Sequence, residues 1–472
     1  MKRALLLLSL PLAVLSVSSC KKSTSVSQAQ IQVGQPIDAT KPLCGTYKGT
    51  MLADKTYNVT CDITINAGDT LLIQKGVHVN MGKGTTIIVN GTFVSLGTQA
   101  DPNFIRDSTK TKTTGSSSVG TDSAYSGGWC GIYCSPTCNL FVCKWTHLDF
   151  GGAGVQTLPF PPGASGHPAV GDEYVLFFGN QNGNFIFEDS WMYGCPDDAT
   201  RFYGGHVNIM RNTIEKLGGP GGDGFNAKGG TVGNMAYNMC IGSATNGTKS
   251  ANDIPISGVE TSIAMYNNTY VNCGFRNTGT FGARAGSAEV ENQSTGYVYN
   301  NLIVNCLTGY RIAGGNSVTA KVYHADTANS TYGYNFMYAD DASLANQFVP
   351  TDIAQAECNQ PQSTDIPNMK AFLPANFMDG APIYDASSLV GKNNPMFKNY
   401  PLPNLNYKTQ ASIDGYDFHL QGGSPALGKG LTTIPNVPII NVPIDANFGS
   451  SGITAPGKDM GCYQSDGTGN QH

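Results

Sequence analysis

The chain has 472 residues, with 28 Lys+Arg against 33 Asp+Glu, a formal net charge of −5 and only 13% charged residues. Its 58 Gly and 40 Asn, against a usual Gly share of about 7%, exclude long amphipathic helices and coiled coils. The mild acidity excludes a protein that holds nucleic acid through bulk positive charge.

Lys2 and Arg3 precede an apolar stretch from Ala4 to Leu15. Twelve residues are too few to span a bilayer, and the pattern reads as a secretory leader. Val17-Ser18-Ser19-Cys20 then resembles the lipobox of bacterial lipoproteins, which implies cleavage after residue 19 and a lipid on Cys20. The Cys-Lys-Lys-Ser start is similar to that of exported lipoproteins of Bacteroidota. The expectation is a signal peptide over 1–19 and a Ser- and Gln-rich tether over 20–43. The membrane would be a partner only through the lipid, at the outer membrane or cell surface.

From Val59 onward the chain reads as short β-runs. Ile63-Thr64-Ile65, Leu71-Leu72-Ile73, Val77-His78-Val79 and Ile87-Ile88-Val89 are separated by Gly-containing turns. Alternation of period two marks strands with one face in a core. The middle of the chain repeats itself. Tyr266-Asn267-Asn268-Thr269-Tyr270-Val271-Asn272-Cys273 recurs 33 positions later as Tyr299-Asn300-Asn301-Leu302-Ile303-Val304-Asn305-Cys306, and Cys240 lies 33 positions earlier. Equal positions at a fixed period mean equivalent sites on stacked coils. Stacked Asn satisfies turn amides and tolerates left-handed φ. These features resemble the right-handed parallel β-helix of the pectate-lyase-like superfamily. The expected fold class is therefore all-β, a right-handed parallel β-helix over 44–320. Residues 321–472 are expected to form loop-rich last coils and an irregular C-terminal cap. Short helical hints occur there, as at 352–357. Asp417-Phe418-His419-Leu420, Gly423-Ser424-Pro425-Ala426 and Asp459-Met460-Gly461-Cys462-Tyr463 resemble the closing motif of secreted β-helix proteins.

Twelve Cys remain beyond Cys20, and in an exported chain they point to disulfides. Cys134 and Cys138, flanking Ser135-Pro136-Thr137, are the expected bridge. A zinc site among Cys130, Cys134, Cys138 and Cys143 lacks paired CxxC spacing. Cys240, Cys273 and Cys306 are alternatively buried thiols of the core.

No H-E-x-x-H, G-x-S-x-G or P-loop pattern is present. Chemistry is expected instead at Asp197-Asp198-Ala199-Thr200-Arg201-Phe202-Tyr203 and, one coil later, at Asp223-Gly224-Phe225-Asn226-Ala227-Lys228. Together these segments resemble a β-helix surface-protein family of Bacteroidota that has no assigned reaction. The second also resembles a coil of calcium-dependent polysaccharide lyases. That likeness implies Ca²⁺ held by Asp197, Asp198 and Asp223, with Lys228 as the base that takes a uronate α-proton. Arg201, Trp191 and Tyr203 are the candidate sugar contacts. The favoured expectation is a lipid-anchored monomer that binds polysaccharide along the solenoid, without a nucleic-acid partner. The alternative is a lyase or hydrolase of acidic glycans. If the Asp pair serves only the turn, an Asp side chain is expected to accept from amides two residues on. Asp198→Asn would then cost little.

Overall fold

The computed structural model describes residues 31–113, 120–155, 171–219, 221–252, 258–276, 286–312, 325–326, 329–345, 390–408, 412–434 and 453–472. The expected leader, the expected lipidation site Cys20, Cys358 and the helical hint at 352–357 lie outside these residues. The chain is a right-handed parallel β-helix of three faces. The first face is a ten-stranded parallel sheet running from Gly49–Met51 to Thr331–Gly333. The second and third faces form one continuous 19-stranded sheet. The long strand Thr56–Ile65 turns the corner between them, its first half pairing His78–Met81 and its second half Thr86–Val89. Parallel strands of three to five residues cannot be joined by hairpins, so each strand finds its partner one coil away. Thr331–Gly333 and Phe336–Tyr338 pair in the same sheets, so the coils continue beyond residue 320.

Inward residues of successive coils stack into the core. The rings of Phe93, Phe141 and Phe185 stand 5.3 and 4.6 Å apart, and each fully buried Phe contributes about 2–3 kcal/mol. Cys273 and Cys306 occupy equivalent inward positions, whereas Cys240 pairs in register with Tyr270 and Ile303 rather than with Cys273, so its spacing of 33 does not mark an equivalent site; all three are buried free thiols. One disulfide joins Cys44 to Cys61. The expected Cys134–Cys138 bridge is not formed. Both residues are buried thiols in the core, and burial raises Cys134 well above the usual thiol value, which suppresses the thiolate that exchange requires.

The corner between the first and second faces is built from a recurring pair. Asp189, Arg211, Tyr237, Asn267, Asn300 and Tyr334 each adopt a left-handed φ of 50–60°. Each is followed by a buried polar residue: Ser190, Asn212, Asn238, Asn268, Asn301 and Asn335. Left-handed backbone costs a Cβ-bearing residue about 1 kcal/mol or more. A side-chain ladder offsets it. Asn238 Oδ1 accepts from the Asn212 backbone N–H (3.1 Å) and Nδ2 (2.9 Å), and Asn212 Nδ2 donates back to the Phe187 carbonyl (2.8 Å). The same three bonds recur from Asn238 to Asn268 and from Asn268 to Asn301.

The left-handed residues turn their side chains outward, where they hold the C-terminal segment. Arg211 Nη1 donates to Thr454 Oγ1 (2.7 Å), Tyr237 Oη to the Ala455 carbonyl, and Asn267 Nδ2 to the Asp459 carbonyl (2.7 Å). The closing motif thus lies along the second face. Gly461 there has φ +91°, and a Cβ on it would stand 2.8 Å from Thr269 Oγ1.

Asn268→Ala should strand the Asn238 amide groups and the Met235 carbonyl at once. A loss of about 3 kcal/mol or more is expected in urea unfolding, at about 1–3 kcal/mol per unsatisfied group. A change below 1 kcal/mol would show that the ladder is dispensable.

Candidate functional site

On the third face, Thr200–Tyr203, Phe225–Lys228, Thr248–Ser250, Ala288–Val290 and Arg311–Ile312 pair in register. Period-two alternation sends Phe202, Ala227 and Val290 into the core. The same alternation sends Arg201, Asn226, Lys249, Glu289 and Arg311 outward as one row. This row is polar, yet all of its members but Arg201 are buried.

A second ladder runs along the corner that leads onto this face. Asp198 Oδ1 accepts from the Asp223 N–H (2.7 Å), Asp223 Oδ1 from the Asn246 N–H (3.1 Å), and Asn246 Oδ1 from the Gly286 N–H (3.1 Å). Asp198 therefore bonds not to the amides of its own turn but to the corner of the next coil, which stacking brings within one strand spacing. Asp198 Oδ2 also pairs with Arg201 and accepts from Asn226 Nδ2 (2.9 Å). Asp223 accepts further bonds from Thr245 Oγ1 and Asn246 Nδ2, and from Asn226 Nδ2 (2.9 Å). Lys249 reaches Glu291 (2.5 Å), Glu289 (3.7 Å) and Asp223 (4.0 Å), and Arg311 pairs with Glu289.

These groups surround a cleft of about 230 Å³ lined by Asp197, Asp198, Arg201, Asp223, Asn226, Lys228 and Lys249, among others. Gly221 and Gly222 form part of its wall. Gly222 has φ +115°, and a Cβ there would stand 2.5 Å from the Asp197 carbonyl. Five of the residues singled out in the sequence thus meet in one place: Asp197, Asp198, Arg201, Asp223 and Lys228. Tyr203 lies at its border, its Oη 3.3 Å from Arg201 Nη1, while the Arg201 guanidinium covers the Tyr174 ring at 4.7 Å. Tyr203 packs with Tyr133, Tyr174 and Phe177 and so positions Arg201. Trp191 is not brought to the cleft. It lies on the second face with its ring stacked on His147 (4.1 Å) and on His472 (3.8 Å).

The carboxyls of the cleft differ in state. Burial acts to raise Asp223, but Lys249 and the donors Thr245 and Asn246 outweigh it and hold this carboxyl below its usual value. Asp197 has no hydrogen bond or ion pair from its carboxyl among the described residues. Burial first, and then the adjacent Asp198 carboxylate, push it up to about 7. Among the described residues no three His, Cys, Asp or Glu side chains form a cation-holding group. Ca²⁺ takes six to eight oxygen ligands, and the oxygens of Asp198 and Asp223 already accept protein donors, so these residues as arranged do not fit that ion.

Lys249, Glu289, Glu291 and Arg311 were not singled out in the sequence. A signal for two of them exists in the spacing of three from corner to outward residue: Asp198 to Arg201, Asp223 to Asn226, Asn246 to Lys249 and Gly286 to Glu289.

Two outcomes follow for the acidic pair. Asp198→Asn would remove the charge that Arg201 pairs with and set an amide N–H₂ either against the Asp223 N–H or against the Arg201 and Asn226 donors. It should cost about 3 kcal/mol, the usual loss when one partner of a buried pair is removed. A urea midpoint equal to that of the parent would contradict this. Asp197, raised from 3.8 to about 7, binds a proton more tightly folded than unfolded. Its contribution is therefore fully present below pH 4 and is lost as pH rises through 7. Asp197→Asn should gain melting temperature over the parent as pH rises from 4 to 8, and a constant difference would refute the assignment.

No protein-family model, no curated protein and no solved structure matches this chain.

Proposed function

We propose that this protein is an exported lipoprotein, anchored through Cys20 and the tether that follows it, whose third face binds polysaccharide. One observation carries the reading. The cleft at Asp197 is walled almost entirely by polar side chains whose orientations are fixed by bonds between coils, so little ordering is left to occur on binding. Sugar hydroxyls need such groups. An open flank also lets a long polymer enter without threading.

A second reading, acid–base cleavage of a glycan, is favoured by the split in carboxyl states. Asp197 keeps its proton close to neutral pH beside an Asp223 held ionised, and such a divergence is how one site supplies both an acid and a base. Lys228 lines the same cleft and is the base in the lyase form of this reading.

Binding of oligosaccharides to the detergent-solubilised chain, measured by calorimetry, tests the first reading. A panel of neutral, amino and uronic oligomers should include at least one ligand whose binding weakens tenfold or more in Asp197→Asn. Release of reducing ends or of unsaturated product from a bound oligomer, lost in Asp197→Asn or in Lys228→Met, would replace binding with catalysis. The anchor is tested separately. Cys20→Ser should move the protein from the membrane fraction to the soluble fraction, and an unchanged distribution would refute lipidation there.

A further inference from the structure

The hydrogen-bonding capacity of the cleft is spent unevenly. Four of its side-chain donors are committed. Arg201 serves Asp198 and Tyr203, Asn226 Nδ2 serves both Asp198 and Asp223, Asn246 Nδ2 serves Asp223 and Glu289, and Lys249 serves Glu291. What lacks a protein partner is acceptor. Asn226 is 2% exposed, and its Oδ1 is buried with no hydrogen-bond partner. The orientation of this amide is not arbitrary, because only the N–H₂ end can face two carboxylates. The Asp197 carboxyl is the second unpartnered acceptor, among the described residues, on the same cleft.

Charge points the same way. Asp197 is faced by Asp198 in its own turn, by Asp223 from the next coil and by Glu173 from the segment before Leu176–Phe178. Arg201, Lys228 and Lys249 are the cations on the neighbouring strands, Lys249 being held by Glu291. Arg201 is already paired with Asp198. Asp197 therefore sits where carboxylates outweigh uncommitted positive charge, and a second anion placed there would be repelled.

We infer that the ligand at this cleft is a hydroxylated primary ammonium, an amino-sugar unit with its nitrogen unacetylated, held by Asp197 through the ammonium and by Asn226 Oδ1 through a hydroxyl. This deepens the polysaccharide reading and rests on it. It sets aside uronic polymers, because Arg201, Asn226, Asn246 and Lys249 are engaged in the coil network and the carboxylates around Asp197 would repel a second anion. Ammonium binding also requires Asp197 to release its proton, so affinity is coupled to pH in a definite direction.

The experiment uses the full detergent-solubilised chain and four probes: glucosamine hexamer, N-acetylglucosamine hexamer, galacturonate hexamer and putrescine. Glucosamine hexamer should bind at least tenfold more tightly than the other three. Its affinity should rise severalfold from pH 5 to pH 6, approaching the tenfold per unit that one coupled proton sets. In Asp197→Asn, which keeps the size and one acceptor, both the preference and the pH dependence should vanish while the melt stays cooperative. Equal binding of the acetylated hexamer, or tighter binding of the galacturonate, overturns the ammonium assignment and leaves the polysaccharide reading standing. Equal binding of putrescine overturns the sugar part. No binding by any hexamer removes both. Should Asp197→Asn fail to fold, the sign of the pH dependence in the parent decides alone: a flat or falling affinity from pH 5 to pH 6 overturns the inference.

Discussion

The structure depends on one interaction repeated along its axis: a side-chain carbonyl at a coil corner accepting the backbone N–H of the equivalent corner one coil away. Without it, each corner between the first and second faces would carry a left-handed residue and buried, unpaired amides. With it, Asn212, Asn238, Asn268, Asn301 and Asn335 satisfy their neighbours in turn. The strain of each bend is then a local cost set against bonds that the next coil supplies. Because neighbouring coils share these bonds, the sheets need no long strands to remain in register.

The third face uses the same device with charge in it. Asp198, Asp223 and Asn246 accept from the following corner as the asparagines do elsewhere, but carboxylates bring the need for counter-charges. Arg201, Lys249 and Arg311 meet that need from the outward row of the adjacent strands. The cleft is what remains where this network stops. Asp197 stands one residue outside the ladder, close enough to feel its carboxylates, with no bond to its own carboxyl among the described residues. The ladder fixes the side chains around the cleft, and burial, with the ladder's Asp198 carboxylate second, makes Asp197 hold its proton near neutral pH.

The second face shows how outward side chains serve packing instead. Left-handed bends present Arg211, Tyr237, Asn267 and Asn300 to the segment 453–472, and Asn300 also to Leu431; the segment covers an apolar row including Met239, Leu302 and Phe336. Rings that were candidates for sugar stacking are consumed in this way. Trp191 lies in a stack with His147 and His472, and the energy of such contacts goes to holding the segment down.

Period-two alternation and the 33-residue recurrence of Tyr-Asn-Asn, with Cys273 and Cys306 in phase, were enough to specify a stacked parallel solenoid, because each coil must repeat the geometry of its neighbour. The two segments that line the cleft were legible for the same reason: acidic residues at equivalent corners of adjacent coils must approach one another. Sequence could not decide what those carboxylates touch. Whether Asp198 bonds to its own turn or to the next coil depends on axial stacking, and residues as distant as Glu289 and Arg311 enter the network only because insertions of different length lie between equal strands. Nor could it decide which rings are open, since the segment that covers Trp191 comes from 281 positions further along the chain. Local pattern determined the coil; only the stacking of coils, and the return of the C-terminal segment over them, decided which polar atoms were left without a partner.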